Sequence, residues 1–371
     1  MTAKTKKILK ITGIALTIIF VGFLIYYLFF KKTSAPVTTP EGVPIITGEE
    51  GGAGRTSRLV AITEEAVLGA NLEKENKLVY VAWDGAINEI NFDGGEKNKL
   101  GIVAAERIGE VLISKDAAKI VIKQTLSSGA TKFLLFDSAE KSIKTLPGNI
   151  KSASFSPNGE QLVTNSFDVG GYKINVSKSD GSETKNITTT KIPDLVLDWY
   201  ADNSVAFKTR PSGIAQGILY TLNLKTKKTS RVLGSLYGLM GTFSPSAEKL
   251  LYFQTDSSGK KTSLKSLNIA KKTEGSIGIK SIPDKCAWAG DNRTIFCGVI
   301  KTESSPVMPD DYYKGKIKTE SEDIVKINLD IGKTQTLIGA PVDVYKPFLS
   351  KDETYLFFIN KIDGRLYRLT L

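Results

Sequence analysis

A short turn recurs along the chain at a nearly constant interval, and that interval limits the folds open to it. The clearest copy is Ala153-Ser154-Phe155-Ser156-Pro157-Asn158-Gly159-Glu160-Gln161-Leu162-Val163, echoed by Gly241-Thr242-Phe243-Ser244-Pro245-Ser246-Ala247-Glu248-Lys249-Leu250-Leu251. Weaker copies lie around Ser114-Lys115-Asp116, Tyr200-Ala201-Asp202, Gly290-Asp291-Asn292 and Ser350-Lys351-Asp352. The first apolar residue after each turn is Leu78, Ile120, Leu162, Val205, Leu250, Ile295 and Tyr355, which gives spacings of 42, 42, 43, 45, 45 and 60. A period of about 40–45 residues with several strands per unit predicts a β-propeller. Seven units fit, so the expected fold is all-β and seven-bladed, with an insertion in the last interval.

Each unit repeats one grammar. A short strand ends in Phe155, Trp199, Phe243 or Trp288. A Ser/Pro/Asn/Asp/Gly reversal follows. Next comes a strand apolar on both faces, such as Leu250-Leu251-Tyr252-Phe253 or Tyr355-Leu356-Phe357-Phe358. Such a strand must be covered on both sides. An alternating third strand and a polar outer strand complete the unit, and short polar outer strands protect exposed edges. After the inner strand near Phe348 only two strands remain before Leu371. Arg58-Leu59-Val60-Ala61-Ile62 is therefore expected to supply the missing outer strand and close the ring.

The Phe-Ser-Pro-Asn-Gly turn followed by an apolar strand resembles the WD-like repeats of TolB-type propellers and the propeller domains of prolyl oligopeptidases, over residues 60–371. The resemblance implies a platform for other proteins, because propellers host many functions. The peptidase half of the second family has no counterpart: there is no Gly-x-Ser-x-Gly elbow and no histidine.

Ahead of the repeats, Ile11 to Phe30 is a run of 20 residues without a charge, about the length a helix needs to cross a bilayer core. The expected organisation is a cytoplasmic N-terminus (1–10), a transmembrane helix (11–30), a flexible linker rich in Pro, Thr, Gly and Glu (31–56) and the propeller (57–371). Four lysines precede the run against Lys31 and Lys32 after it. The positive-inside bias therefore predicts a single-pass membrane protein with an extracytoplasmic propeller. Of the net charge of +11, residues 1–56 carry +4 and the remainder +7. That mild basicity suits a solvated surface or attraction to an anionic wall polymer. The lysines are not interleaved with aromatics on one element, so no nucleic-acid partner is expected.

The chain has no histidine and two cysteines. Ser-His-Asp and Cys-His catalysis are excluded, and so are imidazole or thiolate-only zinc sites. No metal site and no cofactor are expected. Cys286 and Cys297 flank the Gly290-Asp291-Asn292 turn symmetrically, which predicts that they oppose each other across a hairpin within disulfide reach. The insertion, residues 300–323, holds the candidate binding residues Pro309, Asp310, Asp311, Tyr312, Tyr313 and Gly315. Its tyrosines either plug the propeller face or form a recognition loop, where Tyr gives contact area at low entropic cost.

The function expected from these features is a membrane-anchored, non-catalytic recognition platform for an envelope protein or wall polymer, and not an enzyme. Two alternatives remain open. One is a carboxylate-based carbohydrate-active lyase or hydrolase working in the central channel. The other is an accessory subunit of a membrane complex.

Overall fold

The computed structural model describes residues 58–371, apart from 75, 303 and 318. Their strands form seven antiparallel blades of four strands each. Blade 1 is Val67–Lys74, Lys77–Ala82, Ala86–Asn91 and Asn98–Ile102. Blade 2 is Ile108–Ile113, Lys119–Thr125, Thr131–Asp137 and Ser142–Thr145; blade 3 is Ile150–Phe155, Gln161–Asp168, Gly171–Lys178 and Lys185–Thr190. Blade 4 is Val196–Ala201, Ser204–Lys208, Gln216–Asn223 and the first part of Thr229–Phe243. The second part of that strand opens blade 5, with Lys249–Thr255, Thr262–Asn268 and Glu274–Ile277. Blade 6 is Cys286–Trp288, Thr294–Val299, Glu322–Asn328 and Lys333–Ala340. Blade 7 is Val344–Leu349, Tyr355–Asn360, Leu366–Thr370 and, from the other end of the chain, Leu59–Ala61.

The core sits between the blades, which explains why the second strands are apolar on both faces. In blade 1, Leu78 and Tyr80 pack toward Phe357 and Ile359 of blade 7. Their neighbours Val79 and Val81 pack toward Ile120, Ile122 and Phe136 of blade 2. Every following junction has its own apolar cluster, and the series runs unbroken back to blade 7. The repeat ruler falls on these strands: Leu78, Ile120, Leu162, Val205, Leu250 and Ile295 are each the second residue of a second strand and are fully covered. In blade 7 the covered residue is Leu356 rather than Tyr355.

The ring closes through Leu59–Ala61, whose residues pair with Leu369, Arg368 and Tyr367. The Arg58 guanidinium donates to the carbonyls of Thr370 and Leu337, bridging the last two blades. The sequence pattern did not disclose that blades 4 and 5 share one strand of 15 residues. The strand turns from one sheet into the next around Ser235 and Gly238, both with φ above +60°. A Cβ on Gly238 would lie 2.9 Å from the Thr255 side chain, so this bend requires glycine.

The transmembrane helix expected over 11–30, the cytoplasmic segment 1–10 and the linker 31–56 lie outside the described residues. Among the described residues no helix is long and apolar enough to cross a membrane. The helical segments there are a 3₁₀ turn at Pro283–Lys285 and one turn of α-helix at Asp310–Tyr313. Four residues of helix rise about 6 Å, against a hydrocarbon core of about 30 Å. Nothing among the described residues therefore supports the reading of a single-pass membrane protein with a membrane partner and an extracytoplasmic location, and that reading is withdrawn. The function is argued below from the propeller alone.

Candidate functional site

In every blade the first strand starts, and the second strand ends, at the same face. First strands of adjacent blades touch one another around the axis (blades 1 and 2, 2 and 3, 3 and 4, 6 and 7). The charged residues at their starts therefore gather at one mouth of the axial channel. The insertion joins the second and third strands of blade 6 and so belongs to this mouth.

Its candidate residues build a strap. Asp310 accepts hydrogen bonds from the Gly213 N–H (2.6 Å) and the Ser212 hydroxyl (3.1 Å) in a loop of blade 4. A Cβ on Gly213 would lie 2.2 Å from the Met308 carbonyl oxygen, so only glycine lets the strap approach. The Met308 N–H donates to the Gly259 carbonyl of blade 5. Asp311 accepts from the Val307 N–H (2.8 Å) and pairs with Lys316 (3.1 Å). That backbone bond and the Lys316 ammonium lower the Asp311 pKa. The Met308–Pro309 bond is cis, and Gly315 adopts φ +67° at the far end. Tyr312 is 2% exposed and Tyr313 is 45% exposed. The Tyr312 ring packs below the Lys361 ammonium, 3.6 Å from its centroid. The Tyr313 hydroxyl donates to Asp284 at 2.7 Å.

Under Tyr312 lies a buried ionic cluster. The fully covered Lys285 ammonium pairs with Glu322 at 2.7 Å and Asp343 at 2.5 Å, and donates to the Val344 carbonyl at 2.8 Å. The Val344 N–H donates to Glu322 at 2.9 Å. Burial pushes the Glu322 pKa up to about 7, with Lys285 opposing and Asp343 adding to the rise. A Cβ on Gly298 would come within 2.5 Å of the Glu322 carboxylate and 2.7 Å of Val344, so glycine there makes room for the cluster.

The part of the mouth formed by blades 2 to 4 holds a second charged group. The Lys123 ammonium, half-buried, lies 4.0 Å from the Glu110 carboxylate and donates to the Lys151 carbonyl at 3.3 Å. Burial lowers the Lys123 pKa, and the charge of Arg210 lowers it further, while Glu110 and Asp194 pull the other way. Tyr345, at the start of blade 7's first strand, has its hydroxyl pKa raised by burial and by the charges of Asp284 and Glu110. Glu110 thus acts on both Lys123 and Tyr345.

The sequence reading singled out the strap and passed over both ionic groups. Glu322 sits two residues before Ile324 and shares its buried face, so period-two alternation was a usable signal. Lys123 follows Ile120-Val121-Ile122 in a strand covered on both sides, a charge where the pattern asks for none. No sequence signal ties Lys285 to Asp343, 58 residues away.

Cys286 and Cys297 form a disulfide and are register partners across the first hairpin of blade 6, with Cα atoms 4.1 Å apart. Among the described residues no group of three or more His, Cys, Asp or Glu side chains is placed to hold a metal ion.

No protein-family model and no curated protein matches the chain. Among solved structures, an oligogalacturonate lyase in complex with manganese aligns over 84% of this chain and 93% of its own, with a TM-score of 0.59 and 12% identity. The oligogalacturonate lyase from Vibrio parahaemolyticus aligns over the same shares with a TM-score of 0.58 and 10% identity. The tricorn protease aligns over 87% of this chain but 35% of its own, with a TM-score of 0.56 and 12% identity. These likenesses establish a β-propeller fold like that of the oligogalacturonate lyases, and no specific identity. They also correct the expectation of a non-catalytic platform. A fold shared with lyases, carrying ionisable groups with displaced pKa values at its channel mouth, gives no ground for excluding an enzyme.

Proposed function

We propose that the chain is a carbohydrate-active enzyme, a lyase that cleaves uronate-containing polysaccharide at the part of the channel mouth formed by blades 2 to 4. The observation that carries this reading is Lys123, a half-buried amine whose proton affinity is lowered beside a second cation, Arg210. An amine that gives up its proton more readily than an ordinary lysine, and a cation beside it, are what β-elimination of a uronate needs. The likeness to two oligogalacturonate lyases supports the choice of substrate class.

In this reading Arg210 pairs with the sugar carboxylate, which makes the neighbouring C5 proton more acidic. Lys123 in its neutral form takes that proton. The C5–H electron pair becomes the C4–C5 double bond, and the C4–O bond breaks. Tyr345 keeps its proton at neutral pH and delivers it to the departing oxygen. The strap from Pro309 to Gly315, with Tyr313 as its exposed face, forms one wall of the site. The lyase that aligns here carries manganese. With no histidine in the chain and no suitable acidic cluster among the described residues, the residues present do not fit such an ion, and no step is routed through one.

The test is incubation of the full chain with polygalacturonate while following the ultraviolet absorbance of the conjugated C4–C5 double bond. Wild type should generate it. Lys123→Met should lower kcat by about 10²–10⁴-fold, the range for loss of a general base. Absence of any unsaturated product from wild type across uronate polymers would refute the reading.

A further inference from the structure

A pocket of about 450 Å³ opens at the edge of the same face, on blade 1, lined by Glu65, Trp83, Asp84, Asn88, Lys97 and Lys99 among others. Trp83 is 66% exposed. It is the opposite of what a large aromatic does when it serves the core. Its backbone is nevertheless pinned. The Trp83 N–H donates to the Ala66 carbonyl at 3.0 Å, the Gly85 N–H to Ala82 at 3.0 Å and the Val103 N–H to Gly85 at 2.9 Å. Gly85 adopts φ +85°, and a Cβ there would lie 2.2 Å from the Val103 carbonyl oxygen. The turn that carries the exposed indole is therefore fixed in its backbone.

Its surroundings are polar and of mixed sign. Asp84 spends one oxygen on the Ala86 N–H at 2.9 Å. Glu65 accepts from the Tyr80 hydroxyl at 2.6 Å and from Lys97 at 2.5 Å. Asn88 is 3% exposed and lines the pocket. Lys99 is exposed and makes no ion pair among the described residues. A flat apolar plate beside hydroxyl acceptors and an uncommitted cation matches a pyranose ring: its C–H face lies on the indole, its hydroxyls meet Asp84, Glu65 and Asn88, and a carboxylate meets Lys99.

We infer that the Trp83 pocket is a second sugar-binding site, which takes a uronate residue of an acidic polysaccharide through stacking on Trp83 and pairing with Lys99. This rests on the acidic-polysaccharide reading above and adds a place where the chain is held away from the cleavage site.

Binding can be read without turnover. Of the three tryptophans, Trp199 is 4% exposed and Trp288 is packed against the core between blades 5 and 6, so indole fluorescence quenching reports chiefly on Trp83. Titration of the full chain with trigalacturonate should quench it. Isothermal titration should give a Kd raised about tenfold or more by Trp83→Ala, equivalent to at least about 1.4 kcal/mol, and largely restored by Trp83→Phe. Lys99→Ala should weaken trigalacturonate and leave the neutral galactose trimer unaffected. Wild-type affinity in Trp83→Ala, or equal affinity for the acidic and neutral trimers, would overturn the inference while any cleavage measured in parallel stands. Quenching abolished by Trp83→Ala in a protein that yields no unsaturated product would instead retain this site and remove the lyase reading.

Discussion

Blades 1 to 3 and blades 4 to 7 are built from one repeat and have come out differently. The first three keep a strict period and hold Lys123 and Glu110 half-buried at the mouth. The other four carry the shared strand, the disulfide, the strap and a lysine with no exposure at all. The same ring therefore holds ionisable groups in two states. At blades 1 to 3, Lys123 and Glu110 keep 18% and 40% of their side chains exposed. Under the strap the charged groups are structural, because a buried ion pair is satisfied only by its own partners. The contrast is one of packing: the ion pair under the strap is fully covered, while Lys123 and Glu110 keep partial exposure.

The largest blow to this contrast would come from Lys285→Ala. Removing the cation leaves Glu322 and Asp343 facing each other under Tyr312, and breaking a buried pair costs about 3–5 kcal/mol. Chemical denaturation should show that loss, whereas Lys123→Met, at a side chain that keeps 18% exposure and has no carboxylate closer than 4.0 Å, should cost about 1 kcal/mol, as an average substitution does. Equal losses at the two lysines would erase the distinction between the sectors.

Next in size is the covalent link of blade 6. Cys286→Ser with Cys297→Ser should lower stability by about 3 kcal/mol, from the chain entropy of a short loop. Intact-mass measurement after alkylation should find no reactive thiol before reduction and two after it. A thiol labelled without reductant would mean that the hairpin is not locked.

A pH titration sharpens the contrast further. Glu322 binds its proton more tightly when folded, with a pKa of about 7 against an ordinary 4.5. The folded state therefore holds more protons in that window, and stability contributed by this group is complete below about 4.5 and lost as pH rises through 7. The thermal midpoint of wild type relative to Glu322→Gln should fall across that interval. A difference that is flat with pH would show the carboxyl to be ionised throughout.

The smallest effect is expected at Tyr313→Phe. Its single hydrogen bond to Asp284 is worth about 0.5–1.5 kcal/mol, and the exposed ring stays in place. A loss as large as that of Lys285→Ala would mean that the strap hangs on this contact rather than on Tyr312 and Asp310.

The ring was legible in the sequence because its logic is local. Turn chemistry and two-faced apolar strands recur every 42–45 residues over the first six ruler residues, and they recur because each blade must cover two neighbours. The end segment Leu59–Ala61 could be placed by counting strands. Tyr312 could be recognised as a residue that must be covered or bound. What covers it could not, because Lys285, Asp343 and Lys361 come from three separate connections that only the closed ring brings together. Lys123 and Arg210 belong to different blades and share no spacing rule. The shared strand escaped notice for a different reason: the repeat defines where blades begin, not whether one ends before the next starts.

That shared strand sets how the ring comes apart. Elsewhere a blade can loosen at its connection without disturbing the ladder of the next. Between blades 4 and 5 the hydrogen-bonded ladder passes from Gln216–Asn223 through Thr229–Phe243 to Lys249–Thr255 without a break in the chain. An opening front that reaches either blade is expected to run into the other, so that blades 4 and 5 open as one unit in place of two. In native-state hydrogen exchange the amides of blades 4 and 5 would share one opening free energy, and a proteolytic nick would find its first foothold at one of the other junctions.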